Sequence, residues 1–338
     1  MDLRGKRILL TGGASLIGSH TAEELLRADV AAVVLFDNLS FDATHPHLPR
    51  LLESDRVSLV RGDVLDAAGL VDAIEGVDGV FALAGYMSAG IAANPAVALD
   101  VNIRGVLNIL EACKVGGVRR LVFASSSAVY GYGAIAGGIA EDAPFRSAGV
   151  APPAILYGAS KIIGEQLCHL YRARYGLDFV ALRYSTVYGE RQHYRSTNAL
   201  YIIEAYDRVA RGLSPILYGD GSETKDFVYV GDVARANRLA MEADVSGTAI
   251  NISGGQPLTV KSLAERVISL AGATVTPEYR EAPTDGFRIT VDSPFSYDRE
   301  KARALLGWTP LVSIDEGIRR LIAWRRQNSA EAPARNSP

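Results

Sequence analysis

A tyrosine and a lysine four residues apart, Tyr157 and Lys161, are the pair of side chains in this sequence best suited to move a proton. On a helix, side chains at this spacing share one face. A phenol has a pKa of about 10, and lowering it to roughly 7 requires about 4 kcal/mol of stabilisation of the phenolate. One partly desolvated cation about 4 Å away supplies that amount. The same spacing is common in ordinary amphipathic helices, so its meaning depends on the other motifs of the chain.

A glycine-rich turn at residues 11–18, between a predicted strand and a predicted helix, indicates a site for a phosphate group. The preceding run, residues 7–10, is typical of a short buried strand, and a helix is predicted from about residue 19 to residue 28. Such a turn directs backbone N–H groups and the positive end of the helix dipole at a pyrophosphate. The residues assigned to this role are Gly12, Ser15, Leu16, Ile17 and Gly18.

An acidic residue, Asp37, follows the second predicted strand and precedes Asn38. It lies about twenty residues beyond the glycine turn, where a carboxylate can bind both hydroxyls of an adenosine ribose. The same carboxylate would repel a 2′-phosphate. The sequence therefore predicts NAD, rather than NADP, as the cofactor. The alternative is that Asp37 only begins a turn.

Short apolar runs alternate with helical segments, which predicts an α/β fold with a doubly wound parallel sheet of the Rossmann type and a smaller C-terminal α/β substrate domain. We assign an NAD-binding domain to residues 1–182, a substrate-binding domain with some interleaved segments to residues 183–327, and a disordered tail to residues 328–338. Further strands are predicted at about 32–36, 57–60, 79–85, 118–124 and 179–184, with a strand or turn at 216–221. Further helices are predicted at about 67–74, 95–115, 200–211, 232–243, 258–271 and 314–326.

Composition indicates a globular protein that acts on a small molecule. The 338 residues are 48% hydrophobic, which is ample for a buried core, and the net charge of −3 comes from mixed acids and bases. No basic surface favours nucleic acid or an anionic membrane, and no stretch approaches the roughly 20 apolar residues of a membrane span. Without a signal-type segment, the chain is expected in the cytoplasm. Cys113 and Cys168 are expected to be buried structural thiols, and the five scattered histidines predict no metal site.

Seven motifs follow one another along nearly the whole chain. They occupy residues 11–18 (TGGASLIG), 37–39 (DNL), 62–64 (GDV), 102–105 (NIRG), 125–131 (SSSAVYG), 157–161 (YGASK) and 183–189 (RYSTVYG). Together they resemble the motifs of the extended short-chain dehydrogenase/reductase superfamily, in particular its NAD-dependent nucleotide-sugar epimerases and dehydratases. The resemblance implies an enzyme whose reaction starts with hydride transfer.

The resemblance also implies a role for each matching residue. Tyr157 is implied as the general base, Lys161 as its activator and a ligand of the nicotinamide ribose, and Ser126 as the hydrogen-bond donor to the substrate oxygen. Besides the glycine turn, Asp37 and Asn38, cofactor contacts are implied for Asp63, Val64, Leu83, Ala84, Gly85, Asn102, Tyr157, Lys161, Tyr184 and Val187. Substrate contacts are implied for Met87, Thr186, Asn198, Tyr218 and Lys225.

The reaction that the resemblance favours is epimerisation of a nucleotide-linked sugar. A keto intermediate would form, turn over in the site and recover hydride on its other face, so that NAD is used without net consumption. Hexose 4,6-dehydratases carry an Asp-Glu pair directly after the serine or threonine, and Ser127 and Ala128 hold those places here. An epimerase is therefore favoured over a dehydratase. A homodimer, paired through the helices near Asn102 and Tyr157, is also implied.

Departures from the family pattern lie mainly on the substrate side. Thr186 replaces the usual asparagine, and Lys225 replaces an arginine that clamps a diphosphate. Lysine lacks the two-pronged geometry of arginine. On the cofactor side, Ser15 replaces the middle glycine of the turn. Two alternatives therefore stay open: an NAD-dependent dehydrogenase of a free sugar, sugar acid or small hydroxy compound, and a non-catalytic NAD-binding module.

Overall fold

A parallel β-sheet with helices on both faces organises the chain. A computed structural model describes residues 1–40, 47–131, 138–192, 200–281 and 296–328. The strands are β1 (Arg7–Thr11), β2 (Ala32–Asp37), β3 (Val57–Arg61), β4 (Gly79–Ala82), β5 (Arg120–Ser126), β6 (Asp178–Tyr184), β7 (Thr186–Tyr188), β8 (Ile216–Tyr218), β9 (Thr224–Tyr229), β10 (Thr248–Ile252), β11 (Pro257–Thr259) and β12 (Glu278–Arg280). The helices are α1 (Leu16–Arg27), α2 (Leu48–Leu52), α3 (Ala67–Ile74), α4 (Ser88–Ala93), α5 (Pro95–Leu99), α6 (Val106–Val115), α7 (Pro152–Tyr175), α8 (Leu200–Val209), α9 (Val230–Glu242), α10 (Val260–Ala271), α11 (Glu300–Leu306) and α12 (Ile314–Gln327).

Seven strands of the described residues form the main sheet, in the order β10-β6-β5-β4-β1-β2-β3. Every neighbouring pair in it is parallel. This confirms the doubly wound Rossmann-type sheet predicted from the alternation of apolar runs. The strand order reverses between β1 and β4, and a crevice opens at the carboxyl ends of strands at such a reversal.

The core lies on both faces of this sheet. Alternate residues of a strand point to opposite faces. Ile8 and Leu10 of β1 accordingly pack with α1 and α9, whereas Leu9 joins the residues packed under α3, α6 and α7. All three side chains are fully buried. Because helices cover both faces of the sheet, side chains on both faces of each strand are buried. The strand sequences are therefore continuous apolar runs.

The later part of the chain adds two small sheets and then returns to the large one. Strands β11, β9 and β7 form a three-stranded sheet, and β12 pairs with β8. Strand β10 pairs with β6 at the edge of the main sheet, where Ile250 lies opposite Leu182. The predicted boundary between residues 182 and 183 falls within β6, and residues 248–252 belong to the main sheet. The division into two domains stays a prediction.

Several predicted elements are confirmed and others are revised. Helix α3 has the predicted bounds, and Asp66 caps it by accepting a hydrogen bond from Gly69 N. The long helical segment predicted from about residue 95 to residue 115 is confirmed in its bounds, and it consists of α5, a π-helical turn at Asp100–Gly105 and α6. Apolar periodicity does not reveal the extra residue that a π-turn inserts. Strand β9 was not predicted, because the polar residues Thr224, Lys225 and Asp226 begin it.

Candidate active site

A cavity of about 600 Å³ lies at the carboxyl ends of the central strands. It extends from the glycine turn past α4 to the end of β6 and the start of β7. Of the residues assigned to the site from the sequence, it is lined by Ser15, Leu16, Ile17, Asp37, Leu83, Gly85, Met87, Ser126, Tyr157, Lys161, Tyr184 and Val187. The structure therefore brings all three residues of the implied catalytic set into one cavity.

The remaining assigned residues do not line this cavity. Gly12, Gly18, Asn38, Asp63, Val64, Ala84 and Asn102 surround its cofactor side, whereas Thr186, Tyr218 and Lys225 lie on the C-terminal strands. Asn198 is outside the described residues, as are residues 329–338 of the predicted tail. Asn38 donates to the Asp63 carboxylate at 2.9 Å, so these two side chains brace each other behind the end of β2.

The glycine turn is too tight for side chains at its glycines. Gly12 has a φ of +67°, and a Cβ there would lie 3.0 Å from Ala84 N. A Cβ at Gly18 would lie 2.4 Å from Gly12 O. The hydroxyl of Ser15 donates to Gly12 O at 2.6 Å and accepts from Gly18 N at 3.3 Å, which makes Ser15 the N-cap of α1. The residue that departs from the glycine pattern thus completes the turn and starts the helix.

Asp37 links the glycine turn to the end of β2. Its carboxylate accepts from Ala14 N at 3.0 Å and from Leu39 N at 2.9 Å, and Leu39 has a positive φ of 57°. The side chain therefore does start a turn, as the alternative interpretation held, and it also lines the cavity. Each carboxylate oxygen can accept further hydrogen bonds, so a ribose hydroxyl can still bind there.

Two glycines of α7 allow this helix, which carries Tyr157, to pack closely on β5 and on the turn after it. A Cβ at Gly158 would lie 2.3 Å from Ala128 O, and one at Gly164 would lie 2.4 Å from the ring of Phe123. Without side chains at these positions, α7 packs directly on β5 and on the 3₁₀ turn that follows it. Tyr157 of α7 and Ser126 at the end of β5 both line the cavity.

Lys161 is a buried cation at the base of the cavity. Its side-chain nitrogen donates to Ala124 O at 2.8 Å and lies 5.9 Å from the centre of the Tyr157 ring. Burial lowers the pKa of Lys161 to about 8, although the nearby Glu165 carboxylate acts in the opposite direction. A charged lysine in this position stabilises a phenolate more strongly than it would in water.

Asn102, in the π-helical turn, supports the part of the cavity wall that follows β4. Its side chain accepts from Tyr86 N at 2.8 Å and donates to Tyr86 O at 2.9 Å and to Ser160 Oγ at 3.1 Å. It therefore ties the segment after β4 to α7. A Cβ at Gly85 would lie 3.1 Å from Asn102 Oδ1, so a larger residue there would require the Asn102 side chain to shift by a few tenths of an ångström. Asn102 itself does not line the cavity, and its hydrogen bonds hold the residues that form the cavity wall.

Comparison with known proteins identifies the family. Residues 8–253 match the sequence model of the NAD dependent epimerase/dehydratase family. The chain belongs to this family. A putative UDP-glucose 4-epimerase of Methanocaldococcus jannaschii is 33% identical over 95% of this chain and 99% of its own length. A dTDP-glucose 4,6-dehydratase of an Actinoplanes strain is 30% identical over 95% and 98%. The crystal structure of UDP-glucose 4-epimerase from Thermus thermophilus in complex with NAD has a TM-score of 0.81 and 33% identity, and covers 95% of this chain and 99% of that one.

As a member of the NAD-dependent epimerase/dehydratase family, the protein is an enzyme and its cofactor is NAD. The described residues fit that cofactor. The glycine turn, which has no room for side chains at Gly12 and Gly18, leads into the N-terminus of α1, and Asp37 lines the cavity. Across the described ranges, no group of three or more histidine, cysteine, aspartate or glutamate side chains could hold a metal ion. Among the same residues, no helix combines the length and hydropathy needed to cross a membrane.

Sequence reasoning missed one wall of the cavity. The residues not singled out there are Ser40, Tyr86, Ala89, Gly90, Ala93, Asn94, Val97, Ala124, Ser125 and Ser185. Many belong to α4 and to its junction with α5, and their small apolar side chains carry no chemical signal in a sequence. The pairing of Glu165 with Arg183 beneath the cavity was also missed, because these residues are far apart in the chain.

Proposed function

We propose that this enzyme epimerises a nucleotide-linked sugar through a transient keto intermediate, with Tyr157 as the base, Lys161 as its activator and Ser126 as the hydrogen-bond donor. The observation that carries the proposal is the meeting of these three side chains in one cavity with Ser15 and Asp37 of the cofactor side. Relatives that share the fold over nearly their whole length include UDP-glucose 4-epimerases.

The proposed chemistry divides between three side chains. Bound NAD supplies the acceptor and later the donor of the hydride. Tyr157, as phenolate, takes the proton of the sugar hydroxyl and returns it to the same oxygen at the end of the cycle. Ser126 donates a hydrogen bond to that oxygen as the ketone forms. Lys161 holds positive charge beside the phenolate and thereby keeps its proton affinity low.

The substrate side is proposed to include Met87, Thr186, Asn198, Tyr218 and Lys225. Thr186 lies opposite Phe227 in the β7–β9 pair, and Val187 beside it lines the cavity. Lys225 therefore lies on the strand next to the cavity wall, where its ammonium could meet a phosphate as a point charge. Tyr218 ends β8 and would supply an aromatic face for a base.

One observation favours a second candidate, an NAD-dependent dehydrogenase of a compound without a nucleotide. Lys225 Nζ forms an ion pair with Glu223 at 2.8 Å, and both side chains are largely buried. A neighbouring carboxylate repels phosphate and reduces the affinity that Lys225 would give to a diphosphate. A free, uncharged sugar would not meet this penalty.

Product analysis separates the two candidates. The protein is incubated with NAD and either UDP-glucose, UDP-N-acetylglucosamine or UDP-glucuronate, while NADH absorbance and epimer formation are followed. The epimerase proposal predicts conversion of at least one of these sugars to its 4-epimer with far less than one NADH per product. Glucose and glucuronate are assayed in the same way, and stoichiometric NADH with loss of a hydroxyl of either compound would establish the dehydrogenase instead.

Replacing Tyr157 by phenylalanine tests the assigned base. General acid–base catalysis contributes typically 10²–10⁴-fold to a rate, so we expect Tyr157→Phe to lower turnover by about that factor. NAD affinity should change little, because the ring and the packing of α7 are retained. Turnover is measured by epimer formation and NAD binding by calorimetry. Unchanged turnover in Tyr157→Phe would remove Tyr157 from the mechanism.

We also propose that the enzyme is a homodimer that pairs through α6 and α7. Leu156, Ile163 and Leu170 lie seven residues apart on α7, and their exposures are 39%, 40% and 47%. Residues at this interval form one stripe along a helix. Leu107 of the adjacent α6 is 38% exposed and extends the apolar surface. A second copy of the same two helices can bury this stripe about a two-fold axis.

A further inference from the structure

A buried ion pair lies directly beneath the proposed base and its activator. Arg183 of β6 meets Glu165 of α7 in a two-pronged arrangement, with Nε to Oε1 at 2.9 Å and Nη2 to Oε2 at 2.7 Å. The two side chains are only 12% and 6% exposed. Ser125 adds a third hydrogen bond by donating to Glu165 Oε1 at 2.5 Å. Both oxygens of the carboxylate are thus engaged by Arg183, and one of them also by Ser125.

Lys161 has the opposite arrangement, because no carboxylate of the described residues lies within ion-pair distance of its nitrogen. Its hydrogen-bond acceptor is the carbonyl of Ala124, and the ring of Phe123 lies 5.2 Å from the nitrogen. Glu165 follows Lys161 by four residues on the same helix, so their β-carbons are about 5–6 Å apart. Glu165 is therefore the acid best placed to capture this ammonium.

We propose that Arg183 is a positioning residue that holds the Glu165 carboxylate away from Lys161, so that the positive charge of Lys161 acts on the Tyr157 phenol. The inference rests on the proposed roles of Tyr157 and Lys161. Within the ion pair, the charge of Arg183 offsets part of that of Glu165. The phenolate of Tyr157 is then the anion that can neutralise Lys161.

The other groups around this pair do not supply a competing charge. On the turn after β5, Tyr130 accepts a hydrogen bond from Arg183 Nη1 at 3.0 Å, and burial raises the pKa of Tyr130 to about 12. From β5, Ser125 and Ser126 are neutral. The Glu141 carboxylate accepts from Asn251 N at 2.8 Å, and Asp37 lies at the cofactor end of the cavity. Among the described residues, Glu165 is the acid whose charge acts on Lys161, and Arg183 is the ion-pair partner of that acid.

Titration of the Tyr157 phenol tests the inference without any sugar. Tyrosinate absorbance is recorded against pH for the NAD-saturated protein, and each variant is paired with the same variant carrying Tyr157→Phe, so that the difference reports Tyr157 alone. In Arg183→Met, the freed Glu165 carboxylate turns to Lys161, and we expect the pKa of Tyr157 to rise by about one unit or more. In Glu165→Gln, the uncompensated positive charge of Arg183 should lower the pKa of Tyr157.

The double variant Glu165→Gln/Arg183→Met carries neither charge and provides the matched control. We expect its Tyr157 titration to return to the wild-type position, and Arg183→Lys to stay closer to wild type than Arg183→Met. Should Arg183→Met not fold, the direction of the shift in Glu165→Gln and the position of the double variant still decide. No shift in the foldable single variants, or a double variant displaced as far as Arg183→Met, would overturn the inference.

The sugar assays keep the two proposals apart. A protein that shows the expected Tyr157 shifts but converts no nucleotide sugar to its epimer would refute the proposed function and uphold the role of Arg183. A protein that epimerises the sugar, but in which the pKa of Tyr157 is unchanged by Arg183→Met and by Glu165→Gln, would refute the role of Arg183 and uphold the proposed function.

Discussion

Lys161 shows that the site places a charge where it costs stability. The residue is 7% exposed, and burial outweighs the attraction of Glu165 in setting its pKa near 8. The folded state thus binds the Lys161 proton less tightly than the unfolded state does. Strain of this kind is expected at groups that serve the reaction rather than the fold.

Replacing Lys161 by methionine should therefore abolish turnover without loss of stability at pH 7. The cost of the buried charge is on the order of 3 kcal/mol. It is fully present below pH 8 and disappears as pH rises from 8 towards the ordinary lysine pKa of 10.5. Any thermal advantage of Lys161→Met should accordingly shrink between pH 7 and pH 10 in scanning calorimetry.

Lys261→Met, at an exposed lysine of α10, is the control and should show no such trend. A marked loss of stability at pH 7 in Lys161→Met alone would contradict this view.

At the scale of elements, helix starts and tight turns were largely predictable because their signals are local. Asp66, Thr259 and Ser313 each cap a helix by accepting from a backbone N–H, and α3 has its predicted bounds. Strands whose burial depends on distant partners were missed. In β10, Asn251 is buried because its side chain donates to Ile139 O at 2.9 Å across the fold. A polar residue in a short segment gives no indication of such a partner.

The glycine turn offers a matched pair of substitutions. Gly18→Ala places a methyl group 2.4 Å from Gly12 O, and we expect at least a tenfold loss of NAD affinity and a lower melting temperature. Ser15→Gly removes the capping hydroxyl, but glycine is tolerated at an N-cap at a cost of only a few tenths of a kcal/mol. Calorimetric titration with NAD measures both. Equal affinity of Gly18→Ala and wild type would show that the turn can widen.

At the scale of the whole molecule, the fold brings the site together from distant segments. Strands β1, β4, β5 and β6 end along one edge of the sheet, and α7 packs on β5, so that Tyr157 and Ser126 line the same cavity. The Asn237 side chain accepts from the Tyr184 phenol and donates to Thr21 at 2.9 Å, which joins α9, β6 and α1 behind the cofactor side. Residues after 183 thus help to hold the strands that carry the cofactor residues.

Charges placed on the exposed stripe of α7 should separate the proposed dimer. Ile163→Glu/Leu170→Glu puts two like charges on the surface that a second copy would bury, and desolvating them is costly. We expect light scattering to show the wild type as a dimer and this variant as a monomer. Leu213→Glu, at a residue 45% exposed after α8, is the control and should remain dimeric. A variant that keeps the wild-type mass would place the interface elsewhere.

The sequence by itself predicted the doubly wound sheet, the glycine turn and Asp37, because periodicity and turn chemistry are signals within short segments. The spacing of Tyr157 and Lys161 indicated a base with a neighbouring cation, whereas the role of Ser126 was implied by the family resemblance, and all three roles stay proposals. Only the tertiary structure decided that Arg183 occupies the carboxylate of Glu165, that Ser15 caps α1, and that α4 forms a wall of the cavity. The physical reason is that burial and pairing depend on which distant segments meet. The electrostatic state of Lys161 therefore became evident only when α7, β5 and β6 were seen packed together.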